Sequence, residues 1–140
     1  KRLLPEDPAA ARQAILKDLE KPDFEISEEH WKLFTDTLRM LTDRGVGVLL
    51  VNTPMHPFLK DMPTADPNGT THEGMAEMVR RLEGLHAEMP RVWFRDFNLG
   101  GRHDFPHEVF YDADHLNRSG SRELTKRIVR WMEEIGKEKP

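Results

Sequence analysis

The chain has 140 residues, with 21 Lys and Arg against 25 Asp and Glu, which gives a formal net charge of −4. This length suits one domain of the usual ~100–150 residues. The absence of cysteine excludes disulfides, thiolate zinc sites and cysteine nucleophiles. The acidic balance disfavours a nucleic-acid surface, and no apolar run approaches the ~20 residues of a membrane-spanning helix.

The first predicted element is a short helix. Asp7 has the side chain of an N-cap, and Pro8 suits the first helical position. Apolar spacing then predicts a helix over residues 9–20. Pro22 should end it, because proline cannot continue a helical hydrogen-bond ladder.

The second helix and the first strand follow each other directly. Ser27 should cap the helix, and Arg44 with Gly45 is typical of a helix end. Residues 46–51 are continuously apolar and rich in valine. This pattern predicts a short strand that is buried on both faces of a sheet.

Two further helices and one strand complete the chain. We expect a helix over 71–89 with Thr70 and Glu73 as a capping box, a strand over 92–97, and a last helix that Ser119 begins. Helices that alternate with strands predict an α/β fold, a parallel sheet with helices on both faces. Sites in such folds lie beyond the carboxyl ends of the strands, where the chain has two long loops.

The second of these loops holds the strongest candidate for chemistry. Asp112 and His115 stand three residues apart just before the last helix, and a carboxylate can fix the orientation of a histidine that acts as a general base. Asp114 is adjacent to His115, so we expect its side chain to point elsewhere. The simpler alternative is that Asp112 caps a turn and His115 packs under it.

The stretch from Phe110 to Gly120 resembles the final Asp-x-x-His block of the SGNH (GDSL-type) hydrolase superfamily. The order of elements before it is similar to the second half of that flavodoxin-like fold. The resemblance implies one partial domain over 1–140, with His115 as the base and Asp112 as its orienting carboxylate. It also implies a serine nucleophile upstream of Lys1, because none of the three serines follows a strand.

The chain looks most like the SGNH-like partners of membrane-bound O-acyltransferases. The resemblance implies an esterase or O-acyltransferase acting on a carbohydrate or glycan, located outside the cytoplasm. On this hypothesis we expect no cofactor and no metal. By themselves, these residues should have negligible esterase activity. The side chains expected to line the substrate crevice are His56, Asn52 and Asn117.

Two alternatives remain open. The chain could be a non-catalytic binding or scaffold domain of the same fold. It could also be a metal-dependent hydrolase that uses the 103–115 loop, where His103 and His107 add imidazoles to the carboxylates. For His56, the alternative to substrate lining is a loop histidine with local hydrogen bonds.

Overall fold

The computed structural model describes residue 5 and residues 7–18 and 26–137. The predicted end of the first helix, at residues 19–22, lies outside the described residues. Within them the order of elements agrees with the α/β prediction. The elements are α1 (Pro8–Asp18), α2 (Glu28–Asp43), β1 (Val48–Asn52), α3 (His72–Glu88), β2 (Val92–Asp96) and α4 (Arg118–Lys137).

The first two helix starts are capped as predicted. Asp7 Oδ2 accepts a hydrogen bond from the backbone N–H of Ala10 at 2.8 Å. Ser27 Oγ accepts one from His30 at 3.3 Å. Each cap satisfies a backbone donor that has no partner within its own helix.

The predicted caps of the last two helices are wrong by one or two residues. Thr71, not Thr70, caps α3, and its hydroxyl accepts from the backbone N–H of Gly74 at 2.9 Å. Asn117, not Ser119, caps α4, because the carboxamide oxygen of Asn117 reaches the N–H groups of Ser119 and Gly120 at 2.9 and 3.2 Å. In each case, a neighbouring side chain accepts the hydrogen bonds from the first backbone N–H groups of the helix.

The two strands pair in parallel, with Val48 opposite Val92 and Asn52 opposite Asp96. One face of the sheet packs on α2 and α3 through a cluster that contains Val92 and Leu85. On the opposite face, the Arg95 guanidinium of β2 lies 5.3 Å from the centre of the Trp131 ring of α4.

The prediction that the first strand is buried on both faces is wrong. All five residues of β1, Val48–Asn52, are only partly buried. Among the described residues β1 pairs with β2 alone. Burial on both faces needs neighbours on every side, and local apolar character does not create them.

The strands end side by side, and this junction orients the loops that follow. Asn52 Nδ2 donates to Asp96 Oδ1 at 2.9 Å, which ties the carboxyl end of β1 to that of β2. Within the described part of the chain, no helix combines the length and the apolar character needed to cross a bilayer.

Candidate functional site

The loop that carries Asp112 and His115 is a closed turn. Phe110 and Leu116 form an antiparallel bridge, and the backbone N–H of Tyr111 donates to the carbonyl of His115 at 2.7 Å. The bridge folds the intervening residues back on themselves. The two candidate side chains therefore meet on one tight loop just before α4.

His115 faces two carboxylates through one nitrogen. Its Nδ1 lies 2.8 Å from Asp112 Oδ1 and 2.7 Å from Asp114 Oδ1. The prediction that Asp114 points elsewhere is therefore wrong, because the turn is tight enough to bring adjacent side chains together. An ionised carboxylate only accepts hydrogen bonds, so Nδ1 carries the hydrogen. In the neutral ring, Nε2 is then the nitrogen that can accept a proton.

The electrostatics of the pair favour its charged form. Hydrogen bonding to Asp112, supported by Asp114, raises the pKa of His115 above its ordinary value of 6.5. Burial by itself would raise the pKa of Asp112, but hydrogen bonds with Asp114 and His115 outweigh it and hold this pKa at about 2. Asp112 is therefore ionised near neutral pH, and its charge stabilises an imidazolium when His115 takes up a proton.

The two side chains differ in exposure. The His115 side chain is 52% exposed, whereas that of Asp112 is 15% exposed. An imidazole at the surface over a sheltered carboxylate is the arrangement that orients a general base. Asp112 Oδ1 also accepts from the backbone N–H of Asp114 at 3.2 Å, so the turn-capping role is present alongside the pairing with His115.

His56 is buried and contacts the loop that carries Asp112 and His115. It is only 1% exposed, so it does not line an open crevice as predicted. Its Nδ1 accepts from the backbone N–H of Phe58 at 3.3 Å, and its ring centre lies 5.3 Å from that of Phe110. Its backbone N–H donates to the carbonyl of Ala113 at 2.9 Å, which fixes the loop of the pair.

His103 and His107 lie apart from the pair. His103 Nε2 donates to the carbonyl of Met55 at 2.6 Å, and its Nδ1 accepts from the backbone N–H of Phe105 at 3.2 Å. Both ring nitrogens of His103 are thus engaged by the backbone. The ring centre of His107 lies 6.3 Å from that of His56. These two imidazoles therefore pack the 103–110 segment.

One group among the described residues has donor atoms close enough for a metal ion, and it is the same loop. Donor atoms of Asp112, Asp114 and His115 lie within 4.8 Å of one another. Tetrahedral zinc with ligands at about 2.0–2.1 Å separates those ligands by roughly 3.3 Å. The 2.7–2.8 Å between Nδ1 and the two carboxylates is shorter, and fits hydrogen bonds better than shared coordination.

The two predicted asparagines have local partners. Asn52 Nδ2 bonds to Asp96, as described above. Asn117 Oδ1 caps α4, and its Nδ2 donates to the carbonyl of Glu108 at 2.7 Å. Ser119 Oγ also donates to Asn117 Oδ1, at 2.7 Å. The amide of Asn117 thus holds the start of α4 against the loop.

Comparison of the sequence with protein-family models and curated proteins, and of the fold with solved structures, gave no match. The site must therefore be judged by its own geometry. Sequence spacing found Asp112 and His115 but rejected Asp114. The sequence does contain a pattern that predicts a role for Asp114. Two aspartates within Asp112-Ala113-Asp114-His115 favour a tight Asx-type turn, which brings adjacent side chains together.

Proposed function

We propose that this chain supplies the base of a serine esterase or O-acyltransferase that acts on acyl esters of a carbohydrate or glycan. In this proposal it is the C-terminal part of a flavodoxin-like SGNH-type α/β domain. The observation that carries the proposal is the 2.8 Å contact between Asp112 Oδ1 and Nδ1 of the half-exposed His115. This is the geometry of an oriented imidazole base.

The mechanism follows from that contact. Nε2 of His115 accepts the proton of a serine hydroxyl as the oxygen attacks the ester carbonyl, and it returns the proton to the departing alcohol. The imidazolium that forms is stabilised by Asp112 and Asp114. Water or a sugar hydroxyl then takes the acyl group from the serine. The nucleophile in this proposal comes from polypeptide outside the 140 residues.

The partner and the location belong to the same proposal. SGNH-like proteins of this type work beside membrane-bound O-acyltransferases, which deliver acyl groups for transfer to glycans. A chain that serves such a system would act outside the cytoplasm. Its substrate would be the acyl ester and the acceptor glycan hydroxyl.

Asp114 supports a second candidate, a metal-dependent hydrolase. With Asp112 and His115 it offers one imidazole and two carboxylates, a donor set that suits zinc or manganese. We place this candidate second, because Nδ1 is the nitrogen that faces the carboxylates. Coordination there would replace the hydrogen bonds that orient the ring.

The test uses the full-length natural protein and the hydrolysis of an aryl acetate. Asp112→Asn and His115→Asn should each lower kcat by roughly 10³–10⁴-fold, because the base then has the wrong tautomer or is absent. Asp61→Asn removes an exposed carboxylate elsewhere and should leave kcat unchanged. A chelator should have no effect.

Other results would overturn the proposal. Equal activity in the three variants would remove His115 from the mechanism. Activity that a chelator abolishes and added zinc restores would favour the metal-dependent hydrolase. A full-length protein without turnover that still binds a glycan would identify a binding domain.

A further inference from the structure

A cavity opens beyond the carboxyl end of β2. It has a volume of about 460 Å³, and its walls are α3, the 59–60 segment and the 98–102 loop. This volume lies within the range of about 300–1,000 Å³ that is usual for small-molecule sites. The cavity does not include Asp112 or His115, so it is a separate feature of the crevice side of the sheet.

The charged residues of the wall are mostly positive. Lys60, Arg80 and Arg102 line the cavity, with Asp96 as the carboxylate, whereas the whole chain has net charge −4. Arg80 pairs with Glu77 at 2.7 Å. Neither Lys60 nor Arg102 forms an ion pair with a residue that the structure describes. Two cations are therefore available to a ligand in an otherwise acidic molecule.

The carboxylate in the wall is held by donors of the protein itself. Asp96 Oδ1 accepts from Asn52 Nδ2 at 2.9 Å and from the backbone N–H of Asn98 at 2.8 Å. Oδ1 of Asp96 is therefore bonded to groups at the ends of the two strands. The single negative charge of Asp96 is outnumbered by the three positive side chains of the wall.

Asn98 adds a sheltered donor. It lines the cavity and is only 2% exposed. Its Oδ1 accepts from the backbone N–H of Met55 at 3.0 Å, while its Nδ2 makes no hydrogen bond to any described residue. Nδ2 can therefore donate to a further partner. Acceptor oxygens of a ligand in the cavity would satisfy it.

The loop that holds Arg102 has an unusual backbone conformation. Leu99, Gly100 and Gly101 all have positive φ angles, of 50°, 62° and 78°, a conformation that glycine adopts readily and leucine rarely. A Cβ on Gly101 would lie 2.9 Å from Lys60 Cβ. The missing side chain at Gly101 thus lets the loop pack directly against Lys60, which holds two of the cations beside one cavity.

We propose that this cavity binds an oxyanion, the carboxylate or phosphate group of a small organic ligand. Lys60 and Arg102 would neutralise its charge, and Asn98 Nδ2 would donate to one of its oxygens. The inference does not depend on the reaction proposed for His115. It concerns binding, so failure of either proposal leaves the other standing.

Calorimetric titration of the full-length natural protein tests the proposal with inorganic phosphate, glucuronate and glucose. Phosphate, glucuronate or both should bind, and neutral glucose should not. The double variant Lys60→Gln, Arg102→Gln should bind the anion about tenfold or more weakly. The control double variant Arg122→Gln, Lys126→Gln removes the same charge from the exposed surface of α4 and should bind as the unmodified chain does.

NMR of the unmodified protein tests the proposal even if a variant fails to fold. In the unmodified chain, the side-chain amide resonances of Asn98 should shift as the anion is added. Tighter binding of phosphate would indicate a phosphorylated ligand, and tighter binding of glucuronate a carboxylate ligand. No binding of either anion, equal loss in both double variants, or unshifted Asn98 resonances would overturn the proposal.

Discussion

The central residue of the candidate site is an imidazole that shares one hydrogen between two acceptors. Asp112 and Asp114 approach Nδ1 of His115 at nearly equal distances, 2.8 and 2.7 Å. A single N–H that lies between two oxygens forms a bifurcated hydrogen bond. Both carboxylates raise the pKa of His115, first through their hydrogen bonds and then through their charges, and Asp112 contributes most.

The titration of His115 measures this effect. Followed by NMR, His115 should titrate above 6.5, because hydrogen bonding to Asp112 and then Asp114 raises its pKa. Asp112→Asn should lower that pKa more than Asp114→Asn, and Asp61→Asn should not change it. Since the folded pKa is raised, the resulting stability is complete below pH 6.5 and is lost as pH rises through the folded value. A His115 pKa at or below 6.5 would contradict the prediction.

The last helix, α4, packs closely against the loop of Asp112 and His115 at Gly120. A Cβ on Gly120 would lie 2.5 Å from the carbonyl oxygen of Val109 and 2.9 Å from Leu116 Cδ2. Gly120 therefore allows the first turn of α4 to lie directly against the loop of the pair. This close approach is a steric requirement, since Gly120 has no positive φ angle.

Replacing this glycine should separate the helix from the loop. Gly120→Ala should lower the free energy of unfolding by about 1–3 kcal/mol, because backbone must move to admit the methyl group. Gly136→Ala is the matched control in the same helix. A Cβ there meets no atom within 4 Å, and helix propensity should stabilise the chain by up to about 1 kcal/mol. Urea denaturation measures both, and equal effects would show that the contact at Gly120 is unimportant.

At the scale of elements, the sequence predicted most where the determining chemistry is local. The caps Asp7 and Ser27, and the end of α2 at Arg44 and Gly45, depend on a few adjacent residues, and all are confirmed. The α4 cap was misplaced, because several polar residues near its start can each reach a backbone donor. Only the folded turn decides that Asn117 takes the role.

At the scale of the whole molecule, features that need distant residues could not be predicted. The apolar pattern of β1 indicated burial that the surrounding elements do not provide. The cavity beyond the carboxyl end of β2 joins residues from Lys60 to Arg102, and no motif links them. The one local signal was Leu99-Gly100-Gly101, which is typical of a tight loop.

Buried His56 should make the stability of the whole fold depend on pH. Burial, with the neighbouring His107 and His103, lowers the pKa of His56 from 6.5 to about 4. Between these values the unfolded chain binds a proton that the folded chain excludes. This contribution to stability is present above pH 6.5 and is lost as pH falls towards 4, by on the order of 3 kcal/mol.

The variant His56→Asn isolates this contribution. Asparagine can still accept from the backbone N–H of Phe58, so the local cap is kept. Urea denaturation at several pH values should show a weaker loss of stability between pH 6.5 and 4 in the variant than in the unmodified chain. Parallel curves would show that His56 does not set the acid sensitivity of the fold.

The closed turn around His115 has a consequence for the order of folding. Asp112 and His115 are three residues apart, and the bridge from Phe110 to Leu116 closes a loop so short that its formation requires little loss of chain entropy. Closure of a loop of about ten residues takes on the order of 10–100 ns. Asp112 and His115 should therefore come together early, whereas the cavity beyond the carboxyl end of β2 forms only once β1 and β2 have paired.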